Sequence, residues 1–262
     1  MDPIKRKSVE LLREAKKIVV LSGAGMSTES GIPDFRSKKG LYKEKRNGEE
    51  KPEKILSHSF FFEKTEKFYN FLLTKMYYPQ ALPNEGHTIL AKWEKEGRLH
   101  HIVTQNIDGL HTAAGNQQVI EFHGTIRTAT CYNPKCQKVY TIEELERRKQ
   151  GKKAFWECDC GQSSTKRYIK PDVVLYDEYG KWLVGKGFQQ VKQLLQQADL
   201  VLVLGTGLGV MPFADLPLYR LRHVPMLIVN LGETPYDYDE NVYVIKESIG
   251  STLSWFDQEL KR

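Results

Sequence analysis

Short apolar runs recur along the chain at Ile18–Ser22, His101–Thr104, Val119–Phe122, Asp172–Leu175, Leu200–Leu204, Met226–Asn230 and Val242–Ile245, and small or polar residues follow them. Continuous, β-branched runs of this length predict strands buried on both faces, as in a parallel sheet covered by helices. Amphipathic stretches near Ile4–Ala15, Glu85–Glu96, Gly187–Gln197 and Ser251–Leu260 alternate with the runs and supply those helices. The fold class expected is therefore α/β, a doubly wound, mostly parallel, Rossmann-like sheet.

Two segments break the rhythm. After a charged stretch from Lys38 to Lys54, which reads as a mobile loop, comes an aromatic-rich helical pattern, Phe60–Tyr78. Further on, Cys131, Cys136, Cys158 and Cys160 are confined to one block. These segments predict a smaller lobe made of a helical insertion and a zinc-binding insertion. The expected division is a Rossmann-like domain from residues 1–37, 84–125 and 168–262, a cofactor loop and helical insertion at 38–83, and a zinc-binding insertion at 126–167.

Composition narrows the class without changing it. The chain has 262 residues, 40% hydrophobic and 27% charged, ordinary for a soluble globular protein. No run approaches the length of a membrane helix, and the N-terminus lacks the compact apolar core of a secretory signal. A cytoplasmic protein is expected. The net charge of +6, from 39 basic and 33 acidic residues, is spread through a mixed surface and forms no nucleic-acid stripe.

The chemistry begins after the first predicted strand, at Gly23-Ala24-Gly25-Met26-Ser27-Thr28. Glycines there let the backbone turn sharply and approach a pyrophosphate. The third glycine of the dinucleotide fingerprint is missing, because Thr28 occupies it, and no acidic residue ends a second strand about 20 residues on. Taken alone, the motif fits a plain tight turn as well as a nucleotide site. Gly31-Ile32-Pro33-Asp34-Phe35-Arg36 follows directly, combining a rigid turn, a carboxylate, an aromatic face and a guanidinium suited to phosphate.

With this continuation the chain resembles the sirtuins. Further stretches match that family in order: Thr104-Gln105-Asn106-Ile107-Asp108-Gly109-Leu110-His111, Phe122-His123-Gly124, Pro171-Asp172-Val173-Val174, Gly205-Thr206 and Val229-Asn230. The resemblance implies an NAD-dependent protein-lysine deacylase, acetyl groups first. Its products would be nicotinamide, free lysine and an acyl-ADP-ribose ester. Gly23, Ala24, Gly25, Asp34, Phe35, Arg36, Gln105, Asn106, Ile107, Asp108, Gly205, Thr206 and Asn230 would hold NAD, with Ser248 and Ile249 meeting the adenine through backbone groups. Asn106 and Asp108 would line the nicotinamide pocket and His123 would act as base, its ordinary pKa lying near neutrality. Val173, Val174, Leu175 and Tyr176 would bind the acyl-lysine peptide.

Four thiolates can close a tetrahedral structural zinc site. The family usually places two residues between the members of each pair, whereas four residues separate Cys131 from Cys136 and one separates Cys158 from Cys160, so a lobe that folds without metal stays open. Other departures are Gly207 in place of a serine, and Asp177 where a glycine usually precedes Glu178; Asp177 would steer peptide choice towards basic flanks. Succinyl-preferring relatives carry Tyr-x-x-Arg in the aromatic helix. Here Tyr69 is followed by Leu72, which implies uncharged acyl groups. NAD hydrolysis or ADP-ribosyl transfer on the same scaffold is the alternative, and a non-catalytic NAD-binding module is a third. The partners expected are acyl-lysine protein substrates, with no nucleic acid binding required and no membrane; the oligomeric state stays open, a monomer being the expectation.

Overall fold

The computed structural model describes residues 2–35, 40–41, 50–151, 154–160, 167–180 and 183–262. Arg36 and most of the charged loop lie outside the described residues.

Helix α1 (Pro3–Glu14) starts where Asp2 accepts a hydrogen bond from the Ile4 amide, with proline in the first turn. It feeds β1 (Ile18–Ser22), followed by a tight helical turn at Ala24–Ser30. Three short helices come next, α2 (Pro52–Ile55), α3 (His58–Glu63) and α4 (Thr65–Phe71), and α4 widens at Leu72–Met76. Then follow α5 (Glu85–Lys95), β2 (Leu99–Thr104), α6 (Leu110–Ala113) and β3 (Val119–Glu121). The next segment holds β4 (Gly124–Cys131), β5 (Val139–Thr141), α7 (Ile142–Gly151) and β6 (Ile169–Val173). The chain closes with α8 (Gly185–Gln196), β7 (Leu200–Leu204), β8 (Met226–Val229), β9 (Val242–Ile245) and α9 (Ile249–Glu259).

Six strands form one parallel sheet in the order β3-β2-β1-β7-β8-β9. Counted within the sheet this is 3-2-1-4-5-6, the Rossmann order, and its connections reverse direction between β1 and β7. Alternation along β1 explains its unbroken apolar run. Ile18 and Val20 pack on α1, α5 and α9 through Leu12, Trp93 and Phe256, while Val19 and Leu21 pack on α8 through Val191 and Leu195. Both faces are dry, so Ile18 to Leu21 are all apolar, and buried Ser22 at the carboxyl end donates to Thr104 Oγ1 at 2.8 Å.

The smaller lobe is antiparallel, with strands in the order β5-β4-β6. Its core joins Phe61, Phe68 and Tyr69 of α3 and α4 to Tyr140, Leu145, Phe155 and Ile169. Here the strand expected at Asp172–Leu175 is corrected. It runs from Ile169 to Val173 and belongs to this sheet, not to the parallel one. Its burial alternates, with Ile169, Pro171 and Val173 inside and Lys170 and Asp172 half-buried, the signature of a strand with one wet face. The single aromatic helix expected over Phe60–Tyr78 is likewise broken at Lys64, whose backbone leaves the helical region.

Candidate active site

A doubly wound sheet opens its ligand crevice at the carboxyl ends of the strands where the order reverses. Here that point lies between Ser22 of β1 and Leu204 of β7. The two following turns interlock through the backbone: the Gly23 amide donates to Leu204 O at 3.0 Å and the Gly25 amide to Gly205 O at 2.8 Å. A Cβ on Gly25 would lie 2.7 Å from Gly205 Cα, and one on Gly205, whose φ is +61°, would lie 2.4 Å from the Met26 amide nitrogen. These glycines are therefore needed to seat one turn on the other. Thr206 is turned inward, its hydroxyl donating to Gln105 Oε1 at 2.8 Å. Ala24 opens the helical turn; Asp34 and Phe35 follow it, half-buried, with Phe35 packed on the small-lobe core.

Gln105 to Asp108 cross in front of the same turn. Asn106 is buried and donates to Gly23 O at 3.1 Å and to Ser27 Oγ at 3.0 Å. Ser27 in turn donates to Asp108 Oδ2 at 2.7 Å, while Asp108 Oδ1 accepts from the Leu110 amide. Burial raises the Asp108 pKa and these hydrogen bonds oppose it. The carboxylate thus ties the glycine turn to the first residue of α6. Ser27 joins Asn106 to Asp108, a role the sequence reading missed although the residue lies within the glycine motif. Ile107 is pinned from behind, its carbonyl accepting from the Ile126 amide at 3.0 Å.

His123 stands just past β3, beside Phe122 and 6.2 Å from the Phe213 ring centroid. Its pKa falls to about 4 through burial, against which a hydrogen bond to the Gln105 backbone pulls upward. This is below the near-neutral value expected from the sequence, because the ring is largely withdrawn from water. The neutral ring is ready to accept a proton at physiological pH. Gly124 has φ +80°, and a Cβ there would strike Asp172 O at 2.0 Å, so the dipeptide has to end in glycine.

The His123 carbonyl accepts the Val174 amide at 2.9 Å, tying the histidine to the segment Val173–Tyr176. Tyr176 is held at the other end: its amide donates to Leu56 O at 2.9 Å and its carbonyl accepts from the His58 amide at 3.0 Å. Between them Glu178 accepts the Leu175 amide at 2.9 Å and pairs with Lys170 at 3.0 Å. Asp177 has φ +67°, left-handed backbone that glycine occupies without strain and aspartate tolerates. Tyr69 is wholly buried, its hydroxyl donating to Ile169 O at 2.5 Å, and Leu72 is buried beside it.

Asn230 follows β8 directly, its side-chain amide donating to Gly232 O at 3.0 Å. Ser248 is the residue before α9 and is exposed, whereas Ile249 is buried in the sheet core. Glu29 reaches across from the helical turn and accepts the Gly250 amide at 3.1 Å, joining α9 to the glycine-turn side of the crevice.

The four cysteines converge. Their sulfurs all lie within 4.8 Å of one another, with Cys131–Cys160 at 4.0 Å and Cys136–Cys158 at 3.8 Å. A zinc ion with Zn–S bonds of about 2.3 Å in tetrahedral geometry needs sulfur–sulfur edges of about 3.8 Å. The donor set fits structural zinc. The close pair Cys158-Asp159-Cys160 points inward because the backbone bends there, and Arg148 holds the bend. Its guanidinium donates to Phe155 O and Glu157 O and pairs with Asp159 at 3.0 Å.

Fold and crevice define a Rossmann-type nucleotide-binding protein with a structural zinc lobe. The sequence profile of the Sir2 family matches residues 23–212. The NAD-dependent protein deacetylase of Clostridium tetani is 42% identical over 252 residues, 96% of this chain and 96% of that protein. That of Thermotoga maritima is 37% identical, covering 87% of each. A solved structure of Sir2 with a p53 peptide and NAD+ superposes with a TM-score of 0.81 at 33% identity, over 99% of this chain and 98% of that one. Another, Sir2 bound to an acetylated peptide, gives 0.80 at 31%, again over 99% and 98%. The chain belongs to the Sir2 family.

Proposed function

We propose that this protein removes acetyl and other uncharged acyl groups from protein lysines, consuming NAD and releasing nicotinamide and acyl-ADP-ribose. One observation carries the reading. His123 touches both halves of the machinery, with Gln105 of the cofactor crevice at its ring and Val174 of the substrate segment on its carbonyl. Asn106 and Asp108 orient the nicotinamide carboxamide while Ile107 walls it, so that the bond to the ribose breaks away from water. The acyl oxygen takes the ribose carbon as nicotinamide leaves. Neutral His123 removes a proton from a ribose hydroxyl, which closes on the acyl carbon, and water then adds there as the lysine amine departs, leaving the acyl group as an ester on ADP-ribose. The glycine turns and Thr206 hold the diphosphate, Asn230 a ribose, and Ser248 and Ile249 the adenine. Residues 173–176 lie along the acyl-lysine peptide. Tyr69 and Leu72 are both buried and neither supplies a cation for an acyl carboxylate, which supports the preference for uncharged groups; faster turnover of succinyl-lysine than acetyl-lysine would contradict it.

The same reading places the protein in the cytoplasm as a monomer that needs no nucleic acid; among the described residues no helix is long and apolar enough to cross a membrane. The test is incubation with NAD and an acetyl-lysine peptide. Wild type yields free lysine and acyl-ADP-ribose, and His123→Ala yields neither. Nicotinamide release indifferent to the peptide would favour NAD hydrolysis.

A further inference from the structure

Arg127 belongs to none of the motifs above, yet its side chain lies on the loop that carries Asn106 and Asp108. Gly109 has φ +76°, and a Cβ there would meet Arg127 Nε at 2.5 Å, Cδ at 2.8 Å and Cζ at 2.9 Å. The guanidinium therefore covers the Gly109 backbone directly. The residue before it, Ile126, already holds the loop through its amide on Ile107 O at 3.0 Å. Two consecutive residues of β4 thus grip residues 107–109, one by backbone and one by side chain. Arg127 is itself fixed, with Nε donating to Thr125 Oγ1 at 3.1 Å and Nη2 pairing with Glu121 at 3.0 Å, two residues before His123. Its charge also favours the ionised form of the largely buried Asp108.

We infer that Arg127 is a positioning residue for the nicotinamide end of NAD, holding Ile107, Asp108 and Gly109 in place from the side away from the cofactor. The inference rests on the reading of Asn106, Ile107 and Asp108 as the nicotinamide pocket. It makes a distinction that general destabilisation cannot: the contacts read for the ADP-ribose moiety lie on other loops, around Gly23, Gly205 and Asn230, whereas Arg127 meets Thr125, Glu121 and the Gly109 backbone.

The experiment compares binding of NAD and of ADP-ribose, which lacks nicotinamide, by calorimetry on wild type, Arg127→Gln and Arg127→Lys. Because a half-exposed ion pair is worth up to about 1 kcal/mol, Arg127→Gln should weaken NAD by about threefold to fivefold. ADP-ribose affinity should stay unchanged, and Arg127→Lys, which keeps the charge without the flat guanidinium, should fall between. In turnover, the KM for NAD should rise while the KM for acetyl peptide holds. Equal weakening of NAD and ADP-ribose, or none for either, would overturn the assignment. The binding readout does not require deacylation, so absence of turnover in wild type would sink the proposed function and leave this test standing.

Discussion

The two lobes hold their working groups in place by opposite means. In the crevice, the turns after β1 and β7 meet backbone to backbone, and the specificity lies in what is missing: no Cβ fits at Gly25 or Gly205. In the small lobe the sheet has only three members and one wet face, and four sulfurs converge to draw its segments together. A covered parallel sheet supplies enough buried apolar surface to fix its loops, whereas a lobe of this size uses a metal. The difference teaches where each half is fragile.

The largest expected effect is loss of zinc. Stripping it with a chelator, or Cys158→Ser, should cost the small lobe several kcal/mol. Near-ultraviolet signals from Trp156 and Tyr140 should collapse while the far-ultraviolet signal of the parallel sheet persists. A small lobe that keeps its signals without metal would break the comparison. Next comes the crevice. Gly205→Ala combines φ +61° with a 2.4 Å clash, which implies a cost of about 3 kcal/mol or more. NAD affinity should vanish with zinc content intact, and unchanged affinity would refute the interlocked turns.

A third effect is acid sensitivity of the parallel-sheet lobe. His87 and His111 pack with ring centroids 4.8 Å apart and planes tilted by 60°, and burial lowers their pKa values to about 4 and about 3. Their unfolded value is about 6.5, so between these limits the unfolded chain binds more protons. Stability is then complete above pH 6.5 and lost as pH falls towards 4. Between pH 7 and 5 each histidine should cost about 2 kcal/mol, read from denaturant midpoints. His87→Asn should remove about 2 kcal/mol of that dependence, and an equally steep one would count against the assignment. The smallest effect belongs to the rim. Asp177→Gly relieves left-handed backbone at φ +67° and should change stability by less than about 1 kcal/mol. It should also remove any preference for basic over acidic flanks, and a preference that survives would place its origin elsewhere.

Much of this was legible in the sequence, for uneven reasons. The parallel strands announced themselves because both faces are buried: Leu200–Leu204 matches the expected run residue for residue. The strand β4 and the true extent of β6 were hidden, since each has one polar face and reads as an ordinary mixed segment. Motifs placed Asn106, Asp108 and His123 around the crevice, but not the pairings that hold them. Ser27 between Asn106 and Asp108, and Arg127 over Gly109, are long-range contacts with no periodic signal. Irregular cysteine spacing looked like a defect only because the Arg148-held bend cannot be read from local propensity.

The central claim, that one crevice couples NAD cleavage to an acyl-lysine held beside His123, is tested most directly by stoichiometry. Nicotinamide, free lysine and acyl-ADP-ribose should be measured together as acetyl peptide is titrated at saturating NAD. The account predicts equimolar release of all three, with none in the absence of peptide. Nicotinamide appearing without peptide, or in excess of the lysine freed, would contradict it.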